Sequence, residues 1–208
     1  MRGLERLVGA RLLRARLTLG WGPTIRRDMT RLCVFCGSAF GVDRAYIAAA
    51  RALAEAMHAR GLGLVYGGAK RGLMGVLADA VLELGGEVIG VIPRSLVERE
   101  IAHDGLSELI VVHSMHERKA VMAERAAGFL ALPGGFGTLE EFLEVVTWAQ
   151  LGLHDKPLAL LSAADYFEGL LTFIRHMTRQ GFVSPHASPQ ILVGSEPAEL
   201  LDRMFGFA

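Results

Sequence analysis

One run of residues, Leu130-Ala131-Leu132-Pro133-Gly134-Gly135-Phe136-Gly137-Thr138-Leu139-Glu140-Glu141-Phe142, constrains the fold of this chain more than any other. Gly128 to Leu132 reads as a buried strand. It runs into a turn with glycines at 134, 135 and 137, and the turn opens a helix carrying Thr138, Glu140 and Glu141. Glycine lets the backbone come close to a ligand, because no Cβ intervenes and φ > 0 is allowed. Amides in the first turn of the helix lack intrahelical partners, and the helix dipole adds partial positive charge there. Strand, turn and helix N-terminus together form a phosphate cradle, with carboxylates one turn further on. An ordinary tight turn followed by dipole-complementing surface glutamates would read the same way in isolation, so the rest of the chain must decide.

It does so by repetition. Short runs rich in Val, Ile and Leu alternate with helical patterns. Strands are expected at Arg31–Cys36, Leu62–Tyr66, Glu87–Ile92, Leu109–His113, Gly128–Leu132, Pro157–Leu161 and Gln190–Val193. Helices are expected at Arg44–Arg60 with Asp43 as N-cap, Leu73–Leu84, Met115–Arg125, from the glycine turn to about Leu151, Asp165–Gln180 and Pro197–Phe205. Residues 94–108 read as a loop with one helical turn. The alternation predicts an α/β fold, a Rossmann-like doubly wound parallel sheet with helices on both faces. In such folds ligands collect at the carboxyl ends of the strands, where the chain direction switches. The turns Cys36-Gly37-Ser38, Tyr66-Gly67-Gly68 and Pro133-Gly134-Gly135 all fall there. Neither Gly-x-Gly-x-x-Gly nor a P-loop is present, since Arg71 follows Lys70 where a P-loop has Ser or Thr, so a mononucleotide fits better than a dinucleotide or triphosphate.

With 208 residues, 51% of them hydrophobic, residues 29–208 are expected to form a single domain. The net charge is zero, which gives no sign of a nucleic-acid partner, and no apolar run reaches the ~20 residues of a membrane helix. Residues 1–28 stand apart. They hold seven arginines against Glu5 and Asp28, a net charge of +5 that leaves −5 on the remainder. A targeting or membrane-surface helix and a poorly ordered extension are both compatible with this leader; Met29, directly ahead of the first strand, favours the extension. Cys33 and Cys36 make a Cys-x-x-Cys, but on a strand residues three apart face opposite sides. They are expected to be buried, unpaired thiols in a reducing, cytoplasmic setting. No cluster has metal-ligand spacing, and neither metal nor cofactor is expected.

Five further pieces stand in order with the glycine run: Phe35-Cys36-Gly37-Ser38, Val65-Tyr66-Gly67-Gly68, Gly72-Leu73-Met74-Gly75, Met115-His116-Glu117-Arg118-Lys119, and Thr147-Trp148-Ala149-Gln150-Leu151-Gly152 followed by His154-Asp155-Lys156-Pro157. Over residues 30–205 this set resembles the LOG family, the cytokinin riboside 5′-monophosphate phosphoribohydrolases, which often carry the misnomer lysine decarboxylase. The resemblance implies a homodimer that hydrolyses the N-glycosidic bond of N6-substituted AMP, giving the free base and ribose 5-phosphate. It implies Arg118 and Glu141 as the catalytic pair, and Glu100 and Thr147 as residues lining the nucleotide site. With the turns, the substrate-binding set is Gly37, Ser38, Gly67, Gly68, Glu100, Met115, Lys119, Gly134, Gly135, Phe136, Gly137, Thr138, Leu139, Glu140 and Thr147. Ala69 departs from the three consecutive glycines of many members. If position 69 requires φ > 0, alanine there costs about 1 kcal/mol.

Cleavage of an N-glycosidic bond passes through a cationic sugar, which a fixed carboxylate stabilises. Glu141 is assigned that role and is expected to stay ionised through the helix dipole, while Arg118 orients the nucleotide and Glu141. Pyridoxal chemistry is set aside: only Lys70, Lys119 and Lys156 are present, and Lys119, beside Arg118, suits anion contact. An AMP nucleosidase is an alternative. So is a carrier of a nucleotide-like cofactor such as molybdenum cofactor, but a carrier has no use for the Arg118–Glu141 pair. Apolar residues on more than one face of the helix after the glycine turn point to homodimerisation or to denser packing within the monomer.

Overall fold

The structure, a computed structural model, describes residues 30–97, 102–184 and 189–207. The arginine-rich leader and Glu100 lie outside the described residues. The chain alternates β1 (Arg31–Phe35), α1 (Arg44–Ala59), β2 (Gly63–Tyr66), α2 (Gly72–Glu83), β3 (Val88–Pro93), a single turn α3 (Arg94–Val97), β4 (Glu108–Val112), α4 (Met115–Arg125), β5 (Gly128–Ala131), α5 (Phe136–Gln150), β6 (Leu158–Leu161), α6 (Glu168–Arg179), β7 (Ile191–Gly194) and α7 (Pro197–Phe205). The expected strands and helices are all present, with ends that differ by up to three residues. The largest difference is at α6. Ala164 and Asp165, in the 3₁₀ turn ahead of it, both sit in the left-handed region (φ 48° and 55°), so the helix begins at Glu168 instead of Asp165.

Every strand pair is parallel, and the order across the sheet is β4-β3-β2-β1-β5-β6-β7. From β1 the chain first builds outward to β4, then returns to the other side of β1 and builds to β7. The switch point therefore lies between β1 and β5, and a crevice opens there at the strands' carboxyl ends.

Both faces of the sheet are covered, which is why its inner strands read as unbroken apolar runs. On one face α1, α2 and α7 pack Leu53, Met57, Leu73, Leu77 and Leu200 against Leu32, Val34, Leu64 and Leu130. On the other, α4 and α5 pack Met122, Phe142 and Val145 against Cys33, Phe35, Val65, Phe129 and Leu158. Cys33 and Cys36 belong to opposite layers, both buried and both free thiols, as the strand period requires. Among the described residues, no helix is long and apolar enough to cross a membrane.

Helix ends follow local chemistry. Asp43 Oδ1 accepts from the Ala45 N–H at 2.9 Å and caps α1. Ser114 Oγ accepts from the Glu117 N–H at 3.1 Å, and Glu117 Oε2 accepts from the His113 N–H at 2.8 Å. This Ser-x-x-Glu box fixes the start of α4 just ahead of Arg118.

Candidate active site

The crevice at the switch point is closed by contact between two glycine turns. The Gly37 N–H donates to the Pro133 carbonyl at 3.0 Å, joining the loop after β1 to the loop after β5. A Cβ on Gly37 would come within 3.3 Å of the Gly134 Cα, and one on Gly134 would overlap Thr138 Oγ1 and approach the Gly37 nitrogen. Side chains at these positions would wedge the loops apart. Gly72 (φ 58°) packs against the Ser38–Ala39 backbone, which seats the first turn of α2 beside the same crevice. The resulting cavity, about 290 Å³, is lined by Gly37, Ser38, Phe40, Tyr46, Gly134 and Tyr166 among others. Gly135 is the N-cap of α5 and offers no side chain for capping. Among the described residues, the N–H groups of Gly135, Phe136, Gly137 and Thr138 make no protein hydrogen bond, and that leaves four donors at the positive end of the helix dipole.

A buried ion pair stands against Gly67, and neither of its residues lines this cavity. Arg118 Nη1 donates to Glu141 Oε1 at 2.6 Å, and Arg118 Nε donates to the Val91 carbonyl at 3.0 Å. The two side chains are only 9% and 11% exposed, so neither is a surface residue of its helix. Gly67 makes room for the pair: a Cβ there would overlap Arg118 Nη2 and lie 2.7 Å from Met74 Cε. Met115 Sδ lies 4.0 Å from Arg118 Nη1. Arg118 and Met115 of α4, Glu141 of α5 and Gly67 after β2 are thus brought together.

The protonation of Glu141 differs in origin from the sequence expectation. Because α5 begins at Phe136, Glu141 sits in its second turn, beyond the reach of the dipole. Burial raises its carboxyl above the ordinary value, and the charge and hydrogen bond of Arg118 only partly offset this. Arg118, not the helix end, is what favours the anion.

Lys119 also departs from expectation. Its ammonium contacts Glu140 Oε1 at 2.6 Å and Glu144 at 3.0 Å, and its side chain is 9% exposed. Burial opposes its charge, but the two carboxylates outweigh burial and hold its pKa above the usual value. It is neutralised on the α4–α5 seam and is not a bare anion contact. Glu140 is its partner, exposed to solvent on the other side. Thr147, six residues beyond Glu141, is exposed and donates to the Leu143 carbonyl at 2.8 Å. Thr138 is buried under Gly134, Leu139 is half-buried, and Phe136 is 94% exposed.

Gly68 has φ 76° and its carbonyl accepts from the His103 N–H at 2.9 Å. Ala69 is not in the left-handed region; it bridges antiparallel to Ala102. Alanine is therefore unstrained at position 69, and the second loop keeps its shape without a third glycine.

Two residues of the site were not legible in the sequence. Tyr166 donates its hydroxyl to the Gly134 carbonyl at 2.5 Å, and Tyr46 packs edge-on against it with ring centroids 5.5 Å apart. No spacing links them to the glycine turn; only their placement after β6 and on α1 does.

A family model described as "Possible lysine decarboxylase" matches residues 74–204. Cytokinin riboside 5′-monophosphate phosphoribohydrolase LOG5 of Arabidopsis thaliana is 47% identical over 180 residues, 86% of this chain and 79% of its own length. LOG1 of the same plant is 47% identical over 180 residues, covering 86% and 84%. Among solved structures, the molybdenum cofactor carrier protein of Chlamydomonas reinhardtii superposes with a TM-score of 0.64 at 18% identity, over 86% of this chain and 99% of its own. The molybdenum cofactor binding protein of Rippkaea orientalis does so with a TM-score of 0.63 at 19% identity, over 86% and 97%. Those likenesses are of fold. On the sequence relatives and the family model, the chain belongs to the LOG family.

Proposed function

We propose that this chain hydrolyses the N-glycosidic bond of N6-substituted AMP, a cytokinin riboside 5′-monophosphate, to the free base and ribose 5-phosphate. The observation that carries the reading is the buried Arg118–Glu141 pair, its glutamate on the helix that starts at the glycine-walled crevice of the sheet's switch point, in a chain 47% identical to proteins named for that activity.

The free amides of Gly135 to Thr138 bind the 5′-phosphate. As the C1′–N9 bond breaks, its electron pair leaves with the base and positive charge grows on the ribose. Glu141 faces that charge as a preorganised anion in a dry setting. Water adds to C1′ and gives a proton to Glu141, whose Oε2 has no protein donor among the described residues. The departing base takes up a proton from solvent, and Glu141 returns its own proton to solvent. Arg118 holds the carboxylate at one oxygen and keeps it ionised. Gly37, Ser38, Gly67, Gly68, Met115 and Thr138 wall the nucleotide, while Lys119 and Glu140 hold α4 against α5.

Exposed Leu143, Leu151 and Leu153 on and after α5 support a homodimer. The free thiols of Cys33 and Cys36 support a cytoplasmic setting.

The decisive experiment is base release from isopentenyladenosine monophosphate and from AMP, each beside its riboside. Release from the prenylated monophosphate alone is expected. Faster release from AMP would move the role to general purine nucleotide turnover. Tight nucleotide binding with no release would overturn the enzyme reading in favour of a carrier.

A further inference from the structure

We propose that Tyr166 is a positioning residue: its hydroxyl holds the Gly134–Gly135 peptide in the orientation that turns the Gly135 N–H toward the anion site. The identity of the anion rests on the phosphoribohydrolase reading; the geometry does not.

The Tyr166 hydroxyl donates to the Gly134 carbonyl at 2.5 Å. That carbonyl shares a trans peptide plane with the Gly135 N–H, and in a trans peptide the two groups point in opposite directions. Anchoring the oxygen on Tyr166 therefore aims the N–H away from the ring, where it has no protein acceptor among the described residues. Two adjacent glycines place little steric restriction on the rotation of the peptide between them. A flipped peptide would present a carbonyl oxygen to the phosphate in place of a donor. Holding this one plane changes the sign of a contact, not only its length.

The chain carries Tyr166 on a backbone that is strained in order to do so. Ala164 (φ 48°, ψ 42°) and Asp165 (φ 55°) are the two non-glycine residues with left-handed backbone among the described residues, and they immediately precede it. The turn is held on both sides. The Ser162 N–H donates to the Gly194 carbonyl at 2.8 Å. Ser162 Oγ accepts from the N–H of Phe167, which is 1% exposed. The Tyr166 ring is fixed edge-on between Tyr46 at 5.5 Å and Phe167 at 5.1 Å. A relaxed turn would start α6 earlier and carry the hydroxyl elsewhere. Strain kept at one site and over-determined by its surroundings marks a functional constraint.

The test uses the full chain, labelled with ¹⁵N and ¹³C, and Tyr166→Phe. Without any ligand, the Gly135 amide resonance is expected to shift and broaden in the variant as the peptide begins to flip. AMP affinity is expected to fall on the order of tenfold, adenosine affinity to stay the same, and the melting temperature to change little. An unchanged Gly135 resonance overturns the proposal, and so does an equal loss for AMP and adenosine. If the wild-type chain binds no AMP, the phosphoribohydrolase reading fails and the ligand-free resonance alone decides the positioning role. If the variant does not fold, the Gly134 carbonyl ¹³C shift of the wild type decides: a value typical of a free carbonyl rejects the hydrogen bond.

Discussion

Arg118 and Glu141 are 23 residues apart in sequence, yet Nη1 and Oε1 meet at 2.6 Å with both side chains almost fully buried. Removing one partner of such a pair leaves an uncompensated buried charge. In Glu141→Gln the anion facing the ribose is lost while the shape is kept. Base release is expected to fall by about 10³-fold or more, with AMP binding by calorimetry retained. A variant that still turns over would reject the electrostatic role.

Burial holds the Glu141 carboxyl above its ordinary value against the pull of Arg118, and catalysis needs the anion. Activity should therefore fall on the acid side at a pH above the usual carboxylate range. In Arg118→Ala the opposing charge is gone, so the acid limb of the residual kcat/KM profile should move higher still. In stability the sign is reversed. The folded state holds this proton more tightly than the unfolded state, so the contribution is present below the unfolded pKa and is lost as pH rises through the folded one.

Gly67 is needed for space, since its φ is not left-handed. In Gly67→Ala the new Cβ meets Arg118 Nη2 and Met74 Cε, the far ends of flexible side chains that can yield. The fold should survive with a melting temperature within a few degrees. The guanidinium moves instead, and kcat should drop roughly 10- to 100-fold. Retained kcat with lost stability would show that Gly67 serves packing alone.

Gly169, exposed in the first turn of α6, has an ordinary negative φ, and a methyl group added there would meet nothing within 4 Å. Gly169→Ala should stabilise the chain by about 0.4–1 kcal/mol through the unfolded state. Thermal melts should show it as a rise of a few degrees, with unchanged turnover.

Burial pushes the Cys33 and Cys36 thiols well above their ordinary values, with the Glu141 charge adding to it. They face opposite layers of the sheet and cannot form a redox pair. A disulfide-exchange reagent at neutral pH should label neither in the native protein and both after unfolding. Rapid native labelling would contradict the packing around β1.

Local patterning along the chain is enough to specify the layers. Short apolar runs alternating with amphipathic stretches have one good solution, a parallel sheet covered on both faces, and glycine turns after β1, β2 and β5 mark its ligand edge. Those signals are local, because period and turn chemistry are properties of neighbouring residues. Arg118 and Glu141 were legible only through the resemblance of whole motifs, since nothing at either position announces the other. Tertiary structure alone decided how burial and ion pairing compete at Glu141, that Lys119 is neutralised by Glu140 and Glu144, that Ala69 is unstrained, and that Tyr166 reaches the Gly134 carbonyl from beyond β6. Each of these depends on groups distant in the chain meeting in a space of low dielectric, where an ångström of approach sets the energy.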